Sequence, residues 1–153
     1  MSRAMLSKIE RQEASPTATV LARIASAFDL TLAGLLTEPT QEASRLLRVQ
    51  HQGVWTDPGT GYRRRQVYLS AHLPLELVEV MLPAKTAAAM PASSYALIRQ
   101  VVWVIEGRLT IVEGDASSTL DTGDRLEFGP PADCVFRNDD AAPCRYLVAV
   151  VRR

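Results

Sequence analysis

The chain contains few of the residues that most metal sites, disulfide frameworks and membrane spans require. Among its 153 residues there are only two cysteines and two histidines. Two cysteines are too few for a disulfide framework, so we expect a reducing compartment, the cytoplasm. No apolar run is long enough to span a bilayer, and no basic and then apolar leader opens the chain.

The charge balance gives the chain no general attraction to nucleic acid. It has 17 basic and 17 acidic residues and a formal net charge of zero. Any DNA binding must therefore come from a local basic face rather than from the field of the whole molecule. No pairing of a nucleophile with a base and no glycine-rich phosphate loop is apparent, so we do not expect an enzyme.

The first residues have the pattern of a short amphipathic helix. Ser2 is its predicted cap, because a serine hydroxyl accepts a hydrogen bond from an amide of the first turn. Met5, Leu6 and Ile9 recur at three- and four-residue spacing and predict one apolar stripe. The polar side chains lie largely off that stripe, and they are Arg3, Ser7, Lys8 and Arg11.

Two further short helices are predicted before residue 37. Ser15 and Pro16 are typical of a helix start, with Ser as the cap and Pro in the first helical position. Thr31 is the predicted cap of the third helix. The apolar stripes of the two helices consist of Val20, Leu21, Ile24, Ala25 and Phe28, and of Leu32, Leu35 and Leu36. Helices this short are unstable alone, so the three must pack on one another or on another part of the protein.

The segment from Ser2 to Arg11, followed by Ser15-Pro16-Thr17 and Leu30-Thr31-Leu32, resembles the lambda-repressor-like (XRE) helix-turn-helix family. The resemblance implies that residues 2–10 form the recognition helix and that an operator in DNA is the partner. Arg and Lys pair with guanine edges or phosphates, and Ser pairs with either. The side chains expected to contact DNA are Ser2, Arg3, Ser7, Lys8 and Arg11.

The match begins part-way through the family's pattern. The family's domain has five helices, and this chain would begin at the third, which implies that DNA binding needs helices upstream of Met1. Met1 stands where the family commonly carries Val, so an internal start codon would explain the difference. The competing hypothesis is a short protein whose three helices pack on its other domain. Gln12 replaces the usual Gly or Asn of a left-handed turn, which predicts an altered turn.

A second pattern follows a polar segment that we interpret as a linker over residues 37–49. From residue 50 onward, short runs of strand-forming residues alternate with turn residues, which is typical of a β-sandwich or barrel. Residues 75–82 alternate apolar and acidic side chains and predict a strand with one wet face. Residues 101–105 are apolar on both faces, and Glu106-Gly107 predicts a hairpin to residues 108–112.

Residues 103–110 (WVIEGRLT), 122–128 (TGDRLEF) and 136–138 (FRN) resemble a cupin, a small double-stranded β-helix barrel. Fused to the first segment, this part of the chain is similar to the regulators that join an XRE helix-turn-helix to a C-terminal cupin. The resemblance implies an α+β chain of two domains. A partial all-α helix-turn-helix segment at residues 1–36 precedes the linker at 37–49 and an all-β jelly-roll cupin at 50–153.

The cupin resemblance also bears on metal binding. Metal-binding cupins supply two histidines and a glutamate before the Glu-Gly turn, and a further histidine before the Asn. Here Gln100 stands where the glutamate would be, Cys134 stands at the last histidine, and residues 93–96 contain no histidine. One thiol and one amide do not make an ordinary divalent-metal site. We therefore predict no metal and no cofactor. A disulfide between Cys134 and Cys144 is not expected either.

A metal-free barrel of this size either fills its centre with side chains or leaves room for one small ligand. The candidate ligand-lining residues occupy or flank the lost metal positions, and they are Tyr95, Gln100, Trp103, Cys134 and Asn138. Each has a structural alternative. Trp103 also suits a plain core, Cys134 a small apolar position, and Asn138 a turn.

The sequence thus favours a DNA-binding transcriptional regulator. Its metal-free cupin would sense a small molecule or mediate dimerisation, and a homodimer is expected because such regulators read paired half-sites. Two alternatives remain open. One is a small cupin enzyme with vestigial N-terminal helices, and the other is a truncated sensor that does not bind DNA.

Overall fold

Residues 2–37 and 44–153 are described by the computed structural model, in which helices at the start of the chain are followed by strands. The helices are α1 (Arg3–Glu10), α2 (Ala18–Ala27) and α3 (Leu32–Leu36), with short 3₁₀ turns at Val49–His51 and Ala92–Tyr95. The strands are β1 (Val54–Thr56), β2 (Arg63–Leu69), β3 (Leu75–Leu82), β4 (Thr86–Met90), β5 (Ile98–Glu106), β6 (Leu109–Glu113), β7 (Ala116–Leu120), β8 (Arg125–Glu127), β9 (Cys134–Asn138) and β10 (Cys144–Arg152).

The strands form two antiparallel sheets. One has the order β1-β2-β3-β10-β5-β8 and the other has the order β4-β9-β6-β7. Alternate residues of the strands point into the space between the sheets, so β3 buries Val78, Val80 and Leu82 while β6 buries Leu109 and Ile111. The predicted α+β fold class, a helical segment before an all-β barrel, is confirmed. Residues 38–43 of the linker predicted at 37–49 lie outside the described residues.

The hairpin predicted between residues 101–105 and 108–112 is wrong. Strand β5 pairs with β10 and β8, whereas β6 pairs with β7 and β9, so the two strands lie in different sheets. Gly107 has a φ of +91°, and a Cβ there would lie 3.0 Å from the Pro143 carbonyl oxygen. A glycine therefore lets the chain cross from one sheet to the other beside β10.

The wet face predicted for β3 also needs correction. Glu76 and Glu79 are three residues apart, and in a strand this spacing puts them on opposite faces. Glu76 shares the inner face with Val78 and Val80 and is only 1% exposed, while Glu79 lies on the outer face. A buried carboxylate needs partners, and those of Glu76 lie at the junction of the helices with the barrel.

The helix ends follow the sequence in part. Ser2 caps α1 by accepting from the Met5 amide at 3.2 Å, and Thr31 caps α3 by accepting from Gly34 at 2.9 Å. The predicted start of α2 at Ser15-Pro16 is wrong, because Thr17 is the cap and the helix begins at Ala18. The buried face of α2 consists of Ala18, Leu21, Ala22 and Ala25, and the small alanines let the helix pack closely, whereas Phe28 is exposed.

The altered turn predicted after α1 is not found. Gln12 has a φ of +58°, the left-handed conformation that glycine or asparagine usually takes there. The amide of Glu13 donates to the Lys8 carbonyl at 2.9 Å, and the amide of Gln12 donates to the Ile9 carbonyl at 3.0 Å. These two bonds are the pair that closes a helix in a Schellman turn. Glutamine therefore occupies the usual turn at a conformational cost.

Candidate functional site

Helix α1 projects a polar face that carries most of the predicted DNA contacts. No residue of α1 is buried. Arg3 and Lys8 are exposed and Ser7 is half-buried. At about 100° per residue, Arg3, Ser7, Arg11 and Lys8 fall within an arc of about 140°, so they share one face of the helix. The structure thus brings these side chains together on an accessible surface.

The last basic residue of this face is engaged within the chain. Arg11 donates from Nε and Nη2 to the two carboxylate oxygens of Glu13, at 3.0 and 3.2 Å. Both side chains are exposed, and an ion pair in that setting contributes about 0–1 kcal/mol. A phosphate can therefore compete with Glu13 for the Arg11 guanidinium at little cost.

The opposite face of α1 is apolar and only partly covered. Met5 is exposed, and Leu6 and Ile9 are half-buried. In contrast, α2 buries four residues against its surroundings. Packing of an apolar face supplies most of a short helix's stability, so α1 is held more loosely than α2.

Among the described residues, three side-chain hydrogen bonds join helices α2 and α3 to the barrel. The Asp57 carboxylate accepts from the Ala18 amide at 3.1 Å, which caps α2 from the barrel side. Thr19 donates to the Ala89 carbonyl at 2.7 Å. Thr31, the cap of α3, donates its hydroxyl to Glu76 at 2.8 Å. The helical segment is therefore docked on the barrel rather than tethered to it only by the linker.

Three of the predicted ligand-lining residues, Tyr95, Gln100 and Cys134, meet in the barrel. All three are buried, and neither the Tyr95 hydroxyl nor the Gln100 Nε2 has a hydrogen-bond partner among the described residues. Burial raises the pKa of the Tyr95 hydroxyl well above its ordinary value, and the neighbouring Cys134 raises it further. Burial also raises the pKa of the Cys134 thiol, to about 11. Both groups are neutral at neutral pH.

An aromatic stack fills the barrel beside this cluster. Tyr95, Phe128, Phe136 and Tyr146 follow one another with ring centroids 5.8 Å apart at each step. The cleft that borders Tyr95, Gln100 and Phe128 has a volume of about 20 Å³, room for about one water molecule. A small barrel either fills its centre with side chains or leaves room for a ligand, and in this part of the barrel side chains fill the centre.

The other two predicted lining residues lie elsewhere. Trp103 points out of the barrel because it alternates with the inward-facing Val102 and Val104. It is 47% exposed, and its Nε1 donates to the Gly123 carbonyl at 3.2 Å. Asn138 is fully buried, but its Nδ2 donates to backbone carbonyls of Leu82, Pro83 and Ala142 at 2.8–3.2 Å. Trp103 is therefore neither core nor cavity wall, and Asn138 ties two loops together.

Metal-ligating side chains are scattered. Within residues 2–37 and 44–153 no three His, Cys, Asp or Glu side chains cluster as a metal site would require. His51 and His72 are exposed, while Cys134 and Cys144 are buried free thiols. Burial raises the pKa of the Cys144 thiol to about 11 as well. None of the described helices has the length and apolar character to cross a membrane.

The sequence interpretation missed the residues that join the helices to the barrel. Asp57 precedes Pro58-Gly59 and accepts from the Gly59 amide at 2.7 Å, so it reads as an ordinary turn residue. Glu76 was assigned to the wrong face of its strand. Side chains two residues apart share one face of a strand, so Glu76 shares the core face with Val78. This alternation is the sequence signal that predicts the burial of Glu76.

Comparison with known proteins identifies the two parts of this architecture. Residues 1–35 match the helix-turn-helix family HTH_3. An HTH_3 family transcriptional regulator from Vibrio cholerae has a TM-score of 0.80 with 19% identity, covering 99% of this chain and 81% of that one. The Cupin_2 domain of an XRE family transcriptional regulator from Enterobacter cloacae has a TM-score of 0.54 with 16% identity, over 59% of this chain and 95% of that one. The chain joins a segment similar to a helix-turn-helix family to a barrel with the cupin fold.

The cupin barrel is also shared with enzymes. A sugar phosphate isomerase of the cupin superfamily from Silicibacter pomeroyi has a TM-score of 0.53 and 20% identity, covering 71% of this chain and 76% of that one. No curated protein matches the chain by sequence. Structural similarity at 16–20% sequence identity establishes the fold but not the activity, which depends on the residues of the site.

Proposed function

We propose that the protein is a DNA-binding transcriptional regulator in which α1 enters the major groove and the cupin barrel controls it. The observation that carries the proposal is the accessible polar face of α1, with Arg3 and Lys8, inside the segment that matches the helix-turn-helix family. The regulators from Vibrio cholerae and Enterobacter cloacae support it by their shared architecture. DNA as the partner and two free thiols favour the cytoplasm.

The apolar stripe of α1 leads to a second element of the proposal. Met5, Leu6 and Ile9 are exposed or half-buried, and a helix of 8 residues has little stability of its own. We propose that this stripe packs against a further apolar surface when α1 is bound to DNA, and that this packing holds the helix in the groove.

We propose a homodimer as the DNA-binding form. Trp103 lies beside Leu147 of β10 on the outer face of the larger sheet, and this exposed tryptophan offers a surface for a second copy. Two helix-turn-helix segments related by a twofold axis would read half-sites about 34 Å apart. A dimer therefore presents two copies of α1 at the separation of the two half-sites.

We do not propose an enzyme for the Tyr95, Gln100 and Cys134 cluster. A general base or a thiolate nucleophile must lose its proton near neutral pH. The raised pKa values of Tyr95 and Cys134 keep both groups protonated there. The shared fold with a sugar phosphate isomerase does not supply the missing base.

Fluorescence anisotropy with the intergenic DNA beside the protein's own gene tests the proposal. We expect a specific complex that Arg3→Ala or Lys8→Ala weakens by roughly 5- to 150-fold, the equivalent of ~1–3 kcal/mol per contact. Arg137→Ala is the matched control, because Arg137 is an exposed arginine on β9, in the sheet that does not contain Trp103. Equal affinity of all three variants would exclude α1 as the DNA-reading element.

A further inference from the structure

An opening that bears on regulation lies where the helical segment meets the barrel. A cavity of about 570 Å³ has one wall from the end of α2 and the start of α3, including Leu30 and Thr31. Its other wall comes from the barrel, including Glu76, Leu97 and Arg153. Pockets that bind drug-sized ligands have volumes of about 300–1,000 Å³. This cavity has the size for such a molecule, whereas the cleft in the barrel has room for about one water.

The cavity has apolar side chains on both of its walls. Leu30, in the turn before α3, is 46% exposed, and Leu97, just before β5, is 49% exposed. Each leaves a large apolar surface in water, which a ligand placed between the two walls would cover. The body of a matching ligand is therefore apolar.

The charges around the cavity determine the head group. Glu76 is only 1% exposed, and it is neutralised by Arg152, whose Nη1 lies 3.0 Å from its Oε1. Arg152 Nη2 is also used, by the carbonyls of Ser70 at 2.6 Å and Leu73 at 2.8 Å. Arg153 makes no ion pair among the described residues, and its backbone amide donates to the Leu97 carbonyl at 2.9 Å. The exposed Arg153 guanidinium thus lies next to the apolar wall.

Two further polar groups border the same space. Ser94 lines the cavity, and its Oγ is buried without a hydrogen-bond partner among the described residues. Asp29 is the one acidic side chain besides Glu76 on the described lining, and it is exposed to solvent on the helical side. The barrel side therefore suits an acidic head group better than the helical side does.

We propose that this cavity binds a small amphipathic carboxylic acid, with its chain between Leu30 and Leu97 and its carboxylate at Arg153. As the site of the regulatory ligand, it rests on the proposed function. Thr31 explains how binding would be transmitted, since its hydroxyl caps α3 and also donates to Glu76. A ligand that touches both walls favours one arrangement of the helices on the barrel over the others.

Titration calorimetry with octanoate, and with 1-octanol as its uncharged counterpart, tests the site. The full chain should bind octanoate saturably and more tightly than 1-octanol, and Arg153→Gln should abolish that preference. Leu97→Asp should weaken octanoate at least about tenfold, the equivalent of ~1.4 kcal/mol. Leu46→Asp is the matched control, because Leu46 is 63% exposed and does not line the cavity, and it should change the affinity less than about twofold.

The outcomes separate the site from the function. The proposed site would be refuted if octanoate did not bind saturably. It would also be refuted if Leu97→Asp and Leu46→Asp lowered the affinity for octanoate equally. Because Leu97 is half exposed, an unchanged circular dichroism spectrum is expected for its variant. In the anisotropy assay, octanoate should change the DNA affinity of the chain but not that of Leu97→Asp. Octanoate binding without any change in DNA affinity would refute the regulatory role and leave the site standing, whereas no DNA binding at all would refute the proposed function alone.

Discussion

Replacing Asp57 with alanine should weaken the docking of the helical segment more than it weakens the fold of the barrel. Asp57 is a barrel residue, yet its Oδ2 accepts from the Ala18 amide at the start of α2, and its Oδ1 accepts from Gly59. The side chain is 5% exposed, so water does not replace these bonds freely. Hydrogen bonds to charged groups contribute about 1.5–3 kcal/mol each, and part of this is offset because the charge no longer has to be desolvated. We expect a cost of about 2–4 kcal/mol.

Urea unfolding followed by two probes locates this cost. The two tryptophans, Trp55 and Trp103, lie in β1 and β5, so their fluorescence reports on the barrel, whereas circular dichroism at 222 nm reports mainly on the helices. Asp57→Ala should lower the midpoint of the helical transition more than that of the tryptophan transition. Asp57→Asn keeps one acceptor oxygen, so its loss of stability should be about half that of Asp57→Ala.

A matched control separates this effect from the loss of any acidic residue. Asp115 is exposed in the turn between β6 and β7, and Asp115→Ala should stay within about 0.5 kcal/mol of the wild type. If Asp57→Ala leaves both transitions where they are in Asp115→Ala, the reasoning that the barrel caps α2 is refuted.

The remaining predictions concern the turn after α1, the outer sheet face and the thiols. Gln12→Gly should stabilise the chain by about 1 kcal/mol in urea unfolding, because glycine takes a φ of +58° without strain; no gain would contradict the left-handed turn. Trp103→Glu should convert a dimer into a monomer in light scattering, and an unchanged mass would exclude that face. The thiols of Cys134 and Cys144 have pKa values raised from 9.0 to about 11, so the folded state holds their protons more tightly than the unfolded state. Stability should therefore fall as pH rises from about 9 to 11, and Cys144→Ala should reduce that fall; an equal fall in this variant would contradict the assignment.

The helices could be predicted closely because their signals are local. The Ser2 and Thr31 caps depend on a hydroxyl and amides within three residues, and both were located correctly. The predicted start of α2 lies two residues too early, since the cap at Thr17 is reinforced by Asp57, which accepts from Ala18, 39 positions before it. Spacing along the sequence does not encode such a contact.

The barrel was predicted as a class, but its pairing was not. The Glu106-Gly107 turn is typical of a hairpin, and only the close approach of Pro143 to Gly107 reveals that the chain crosses between sheets. The residues of the candidate site were also predicted only in part. Tyr95, Gln100 and Cys134 lie close together inside the barrel, whereas Trp103 lies on the outer face because a strand alternates its side chains. Whether the three bind a ligand stays a prediction. The cavity against the helices depends on how the two parts dock, which no single motif records.

The salt dependence of DNA binding tests the central claim that α1 contacts DNA. Each cation that neutralises a phosphate adds about 0.9 to the slope of log K against log salt concentration. The account predicts that the double variant Arg3→Ala, Lys8→Ala binds more weakly than the wild type, with a slope shallower by about 2. Arg137→Ala should keep the wild-type affinity and slope. An affinity and a slope for the double variant equal to those of Arg137→Ala would contradict the claim.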